Sequence, residues 1–491
     1  MMKNPFPVQE TRRALSQLGE VSVNAQENLE IADSHQLYLP LRHKGAFAWD
    51  ASVVVGMRGA GKSVWTAALN DAGIRGDMAQ AWGLDQLNRL DVHIAFGQNL
   101  SERLFPSPDT LENLLAAFPG LDCALIWKTV LFKRIVQELG VNDDFARLDN
   151  WRERVQWVKE HGELSNQIFQ QFDQEWKKIG RQFLFVMDAL DLLSNDWSKL
   201  QELAKGALRL TQNLRMYSSM RIKMFLRPDM FEDDALWTFA DSSKLKQSKV
   251  ELQWSPVDLY GLILQRLVHA DGVGKEIRDA LDPGSMPVES GRGYRLPKYC
   301  RTEEGMKEIV IFLAGKFMGT DPRRGGTFTW IPKHLADAKG RVSPRSMLLA
   351  VGEAARITEE DYGTHATALH HEAIRQGVAK ASEIRVDELA EDYPWIKPLV
   401  DALDGLLVPC APDELLNRWD ERIIKNVTGA GKLPPRKFST DGVQAGNPAL
   451  LIDDLEELAV LSRTSDGRIN IPDIFRIKSG MKRKGGVRAV R

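Results

Sequence analysis

Residues 53–63 read Val53-Val54-Val55-Gly56-Met57-Arg58-Gly59-Ala60-Gly61-Lys62-Ser63. The spacing is that of a phosphate-binding loop, G-x-x-x-x-G-K-[ST], between an apolar β-branched run and a helix-compatible run. Ser52–Val55 reads as the buried strand that delivers the loop. Gly56, Gly59 and Gly61 let the backbone turn tightly, so that successive N–H groups face phosphate oxygens, and Arg58, Ala60 and Val64 belong to the same cradle. Lys62 supplies a point charge for the β- and γ-phosphates, and Ser63 a hydroxyl for Mg²⁺. The helix expected from Val64 to Ala72 aims its dipole at the same anion.

The surrounding sequence extends the pattern. The strand opens near Ala48, and a second strand is expected at Val92–Phe96. A long helical stretch, about 109–178, then intervenes, too long for an ordinary crossover and so read as an insertion over about 97–180. Phe183–Met187 is wholly apolar, a strand buried on both faces, and it ends at Asp188. Parallel strands deliver side chains at their carboxyl ends, where ligands lie, so Asp188 can reach the Mg²⁺ held by Ser63. Asp191, three residues on, is placed to orient or deprotonate water, with Asp196 a weaker candidate. The plain alternative is a capping Asp188 and a solvated Asp191. The next strand, Ile222–Leu226, ends at Arg227, which can sense the γ-phosphate or pair with Asp229 or Asp233. Val250–Trp254 is a fifth strand, and the helix Pro256–Ala270 closes the unit. Strands alternating with helices give an α/β fold with a parallel sheet.

Beyond residue 270 the strand signal fades. Asp282–Pro297 reads as a linker, and helices return at Glu303–Phe317, Pro344–Ala355 and Thr358–Val378. Arg345, near the start of the second of these, either folds back onto a nucleotide or is a solvated helix-start arginine. Short helices are expected near Trp395–Leu403, Pro412–Ile424 and Ala449–Ser462, then a turn at Asp466–Gly467 and a β-prone run, Arg468–Ile477. The domain reading is therefore an N-terminal extension (1–45), a P-loop core (46–270), a helical lid (271–385) and a C-terminal unit (386–491).

The order of P-loop, strand-D-x-x-D, Arg-tipped strand, helical lid with an early arginine and winged-helix-like C-terminus resembles the AAA+/STAND group of P-loop ATPases. Phe225-Leu-Arg-Pro-Asp-Met-Phe231, with Asp241-Ser-Ser-Lys-Leu and Leu252-Gln-Trp-Ser, is similar to a bacterial subset, many of them signalling or antiphage-defence components. The resemblance covers roughly 46–355 and implies ATP and Mg²⁺ as ligands. It also implies nucleotide and metal roles for Lys62, Ser63 and Asp188, sensor roles for Arg227 and Arg345, and assembly with further copies of the chain or an effector protein. One departure stands out. Ala189 occupies the place where such enzymes carry a catalytic glutamate. Hydrolysis is then either slow or dependent on Asp191, which suits a switch better than a motor.

Composition sets the bounds. The 491 residues suffice for about three domains. A net charge of −2 gives no global pull toward nucleic acid, so any basic surface is local. The local candidate is the tail Arg476, Lys478, Lys482, Arg483, Lys484, Arg488 and Arg491, which resembles the wing of a winged helix and is either a DNA contact or, slightly favoured, a solvated, partly disordered tail or a protein-docking wing. Cys123, Cys300 and Cys410 are far apart, which argues against a zinc ribbon or a disulfide framework. No run approaches 18 apolar residues and the N-terminus lacks a signal-peptide core, so a cytoplasmic chain without membrane contact is expected. His365, His370, His371 and Glu372 read as the surface of one helix rather than a metal site. Trp151 and Trp157 sit at helical spacing and read as packing residues. No guanine-recognition N/T-K-x-D motif is evident, which favours ATP. The alternatives to an ATPase switch are a DNA-bound initiator or loader ATPase, and a scaffold that binds nucleotide without turnover.

Overall fold

A computed structural model of the chain describes residues 4–24, 37–98, 101–141, 143–283, 295–428, 433–440 and 445–484. The chain divides into two units, Leu41–Gln253 and the combination of Met1–Pro40 with Trp254–Arg491. The division places the helix Pro256–Leu267 with the C-terminal elements, whereas the sequence reading closes the P-loop core with it.

The first unit is built on β1 (Val53–Val55), β2 (Leu90–Phe96), β3 (Gln182–Met187), β4 (Met220–Leu226) and β5 (Val250–Glu251). They form one sheet in the order β2-β3-β4-β1-β5, every pairing parallel. Their apolar runs are buried because helices cover both faces of such a sheet. All carboxyl ends therefore share one edge. β4 is inserted between β1 and β3, with Val55 opposite Leu226 and Met187 opposite Met224. The topology thus sets Gly56, Arg227 and Asp188 side by side, although they are far apart in sequence.

The first strand is shorter than the expected Ala48–Val55, because Leu41–Phe47 coils into a 3-10 helix. The helix expected over Val64–Ala72 ends at Asn70. Asp71 leaves the helical region and its carboxylate accepts the Ile74 N–H at 2.9 Å, capping a second helix, Ala72–Trp82. The expected insertion between β2 and β3 is five helices, Pro108–Ala117, Cys123–Leu139, Asp143–Ala146, Trp151–Glu160 and Gly162–Lys178. Trp127, Phe132, Phe169 and Phe172 carry its core onto the sheet.

In the second unit, helix Val8–Asn24 packs on helix Pro344–Asp361. A Cβ on Gly352 would stand 2.5 Å from the Gly19 nitrogen, so the crossing requires glycine there. Arg12 fixes the same contact. Fully buried, it pairs with Glu359 at 2.8 Å and donates to the Gly363 and Ala368 carbonyls at 2.9 and 3.1 Å. The expected helix Thr358–Val378 does not form as one piece. Pro344–Asp361 runs on, residues 362–370 form a loop, and His371–Asp392 follows. His365 and His370 thus lie off the helix, and His370 caps it by accepting the Glu372 N–H at 3.3 Å. Most of the expected linker Asp282–Pro297 lies outside the described residues.

The C-terminal elements run helix Ile396–Asp401, β6 (Leu407–Val408), helices Pro412–Leu416, Glu421–Thr428, Arg436–Thr440 and Ala449–Glu457, then β7 (Ser462–Arg463) and β8 (Ile469–Asn470). β7 and β8 pair antiparallel about Asp466–Gly467, and Cys410 bridges antiparallel to Ile469. This is a winged-helix arrangement, with the wing at residues 464–468. The basic tail is not that wing. Lys482–Arg483 form β9, parallel to β6, while Arg476 and Arg483 pair with Asp473 and Lys478 pairs with Glu383. Acid partners thus compensate Arg476, Lys478 and Arg483, which read as unpaired in sequence. Arg488 and Arg491 lie outside the described residues. No helix among the described residues is long and apolar enough to cross a membrane.

Candidate functional site

The loop after β1 has the geometry that its glycines require. The Gly56 N–H donates to the Leu226 carbonyl at 3.0 Å, tying the loop to the end of β4. A Cβ on Gly56 would crowd Leu252 Cδ1, Lys62 Cγ and Ala60 Cβ at 3.2–3.3 Å. Gly59 and Gly61 take φ values of 79° and 97°, in the region that glycine enters without strain. Ala60 closes a turn on Met57. Arg58 is half-buried, while Val64, 42% exposed on the first helical turn, keeps its side chain clear of the cradle's core. Beneath the loop, Trp65 packs against His43, Phe47 and Trp82, a stiff aromatic floor that the scattered tryptophans of the sequence do not announce.

Helix Lys62–Asn70 presents Lys62 at its N-terminus. The Lys62 ammonium donates to the Gly56 and Met57 carbonyls at 2.9 and 3.2 Å. Burial lowers its pKa, and the nearby Asp188 and Asp191 oppose that shift.

Asp188 is 2% exposed. Its N–H donates to Phe96 O at 2.9 Å, and the nearby Ser63 hydroxyl and Ala189 N–H favour its charged form. Burial raises its pKa, while Lys62 and Ser63 pull it back down. One carboxylate oxygen, Oδ1, is buried without a hydrogen-bond partner among the described residues. That orphaned oxygen beside a serine hydroxyl fits a hard, oxygen-seeking cation such as Mg²⁺. The next residue, Ala189, sits at φ 54°, a left-handed conformation that costs a non-glycine residue on the order of 1–2 kcal/mol. It turns the chain sharply into the short 3-10 helix Leu190–Leu192, which carries Asp191.

Arg227, 7% exposed at the end of β4, lies between two acids. Its Nη1 is 3.5 Å from Asp191 Oδ2, and its Nε donates to Asp229 Oδ1 at 3.2 Å. Of the pairings weighed from sequence, that with Asp229 is present. Asp233 accepts from Gln201 and from the Ala235 N–H. The pairing of Asp191 with Arg227 has no sequence signal, since it depends on β4 lying next to β3. Asp229, named from sequence only as a pairing partner for Arg227, has the Arg-Pro-Asp turn as its local sign. Asp196 is a helix cap, accepting the Lys199 N–H at 3.1 Å. Arg345 lies in the second unit, where it donates to Glu388 at 2.7 Å. The described residues contain no cluster of three or more His, Cys, Asp or Glu suited to a metal ion, the histidines near 370 included.

No protein-family model matches the chain, and no curated protein matches it. Among solved structures, the "Structure of the Aeropyrum Pernix ORC2 protein (ADPNP-ADP complexes)" aligns over 91% of this chain and 90% of that one, at 12% identity and a TM-score of 0.38. So remote a likeness leaves the functional reading to the geometry.

Proposed function

We propose that this chain is an ATP-binding and ATP-hydrolysing switch of the AAA+/STAND type, acting in the cytoplasm, whose nucleotide state governs assembly with further copies of itself or an effector protein. The observation that carries the reading is Asp188, a buried carboxylate with an orphaned oxygen, its charged form favoured by Lys62 and Ser63 of a complete P-loop. The backbone of residues 59–63 and the Lys62 ammonium hold the β- and γ-phosphates. Ser63 and Asp188 would hold Mg²⁺, which would supply positive charge to offset that of the phosphates. Asp191 takes the water-positioning role that Ala189 cannot fill. Arg227 Nη1 lies 3.5 Å from Asp191 Oδ2. Arg227 answers the γ-phosphate by exchanging Asp191 for it, and Arg345 is the second sensor, held meanwhile by Glu388.

A protein-docking role suits the winged helix better than DNA reading. Helix Ala449–Glu457, which leads into the wing, carries Asp453, Glu456 and Glu457, and these acids engage Arg463, Arg436 and Lys437. Such a face holds its cations in ion pairs and offers a phosphate backbone little net positive charge.

The test is ATP turnover by the full chain. Lys62→Ala should lose a charge-assisted contact worth roughly 1.5–3 kcal/mol and at least about tenfold in ATP affinity or turnover. Asp191→Asn should bind ATP normally and turn it over more slowly. Wild-type turnover in both variants would end the ATPase reading.

A further inference from the structure

A local basic surface does exist, in the helical insertion rather than the C-terminal tail. Lys133, on helix Cys123–Leu139, places Nζ 5.1 Å from the centre of the Trp151 ring. Arg154 places its guanidinium 5.2 Å from the same ring. The Lys133 ammonium also donates to the Arg103 carbonyl, and Arg154 Nη2 donates to the Leu148 carbonyl at 2.5 Å. Trp151 is 4% exposed, and its Nε1 donates to the Glu102 carbonyl at 3.0 Å, so its ring is a fixed floor. Lys133 and Arg154 are half-buried and Arg103 is exposed.

Among the described residues none of the three cations forms an ion pair. The acids nearby are committed elsewhere. Glu102 accepts from Ser107 N at 3.1 Å and Thr110 Oγ1 at 2.8 Å, and Glu153 accepts from Asp149 N at 3.4 Å. Asp149 and Glu153 offset part of the Arg154 charge. Burial, Arg154 and Arg103 together push the Lys133 ammonium down to about 8. Three like charges gathered without an ion-pair partner repel one another and are relieved by an anion.

We propose that Arg103, Lys133 and Arg154 form a binding site for a phosphate-bearing polyanion, each cation meeting one phosphate. The Trp151 ring is buried, so no base stacks on it, and the ligand is recognised through its phosphates alone. The site belongs to the segment joining β2 to β3, the strand that ends at Asp188, and is separate from the P-loop. Anion binding restores the Lys133 proton, so affinity falls as pH rises above about 8.

The experiment uses the full chain carrying Lys62→Ala, which weakens the P-loop's own hold on phosphate. Two probes are titrated: inorganic tripolyphosphate by calorimetry and a short fluorescent oligodeoxythymidylate by anisotropy. Replacing Arg103, Lys133 and Arg154 with Gln should cost at least about tenfold in affinity for the probe that binds, whereas Lys133→Arg with Arg154→Lys should retain it. For the oligonucleotide, three single-strand contacts should give a fall of roughly two log units per tenfold rise in salt. Preference for the oligonucleotide identifies a nucleic-acid backbone, and preference for tripolyphosphate identifies a free polyphosphate. If the triple variant fails to fold, the exposed Arg103→Glu alone should weaken binding at least about threefold. Binding unchanged in the triple variant, or in Arg103→Glu where the triple variant is unfolded, or absent for both probes in the parent, overturns the site and leaves a cation clamp on Trp151.

Discussion

Burial and chemistry pull Asp188 in opposite directions. The apolar strand that positions the carboxylate also strips it of water and raises its pKa, while Lys62 and Ser63 favour its charged form. Mg²⁺ binding requires the carboxylate, so affinity for the ion should strengthen with rising pH until Asp188 is fully ionised. The P-loop and Asp188 are legible in sequence because each is a contiguous pattern. The coupling of Asp191 to Arg227 is not, because it joins neighbouring strands whose order no local pattern records. Lys223 is a second case. It interrupts an apolar strand, yet it is 2% exposed and donates to the Ala46, Ala48 and Ala51 carbonyls, pinning the chain ahead of β1. Lys223→Met keeps the bulk and leaves those carbonyls without a donor. It should cost about 2–4 kcal/mol in urea unfolding, and a loss under about 0.5 kcal/mol would show that the carbonyls find other donors.

At the scale of elements, the strands were legible to within a few residues because buried parallel strands are continuous apolar runs. Helix ends were less so. Ala-rich and charged residues continue a helical pattern through 358–378, but Thr358 accepts the His370 N–H at 3.0 Å and Arg12 gathers the carbonyls of the 363–368 turn. A buried arginine far away in sequence thus determines where the helix stops. In that loop His370 stacks on Tyr362 at 3.8 Å and abuts His365 and His371. Burial, then His371 and His365, hold its pKa down at about 4, with Glu372 opposing. The folded chain therefore takes up fewer protons than the unfolded chain, whose histidine titrates near 6.5. The stability that depends on neutral His370 is present above about 6.5 and is lost as pH falls toward about 4. His370→Asn replaces the capping ring nitrogen with an amide oxygen and should flatten that part of the Tm-against-pH curve. An identical slope in the variant would place the effect on other groups.

On the scale of the whole molecule, the sequence divides the chain at changes of composition, but the units follow packing. Helix Val8–Asn24 and helix Pro256–Leu267 both belong with the C-terminal elements, a long-range choice that no linker signal marks. The basic tail gives the same lesson. Read along the chain it is a run of positive charge; folded, Arg483 meets Asp473 and Lys482–Arg483 extend β6. Replacing Lys482, Arg483 and Lys484 with Ser should therefore lower the melting temperature of the full chain and leave the salt dependence of any duplex binding unchanged. A flattened salt slope with an unchanged melt would restore the tail as a nucleic-acid contact.

Ser63 and Asp188 are proposed to hold Mg²⁺ against the phosphates of ATP in the P-loop. The most direct measurement is the affinity of the full chain for a fluorescent ATP analogue, with and without Mg²⁺, in the wild type and in Asp188→Asn. Mg²⁺ should tighten binding to the wild type at least about tenfold, and most of that gain should vanish in Asp188→Asn while Mg²⁺-free binding persists. An equal Mg²⁺ gain in both proteins, or no nucleotide binding by the wild type, would contradict the claim.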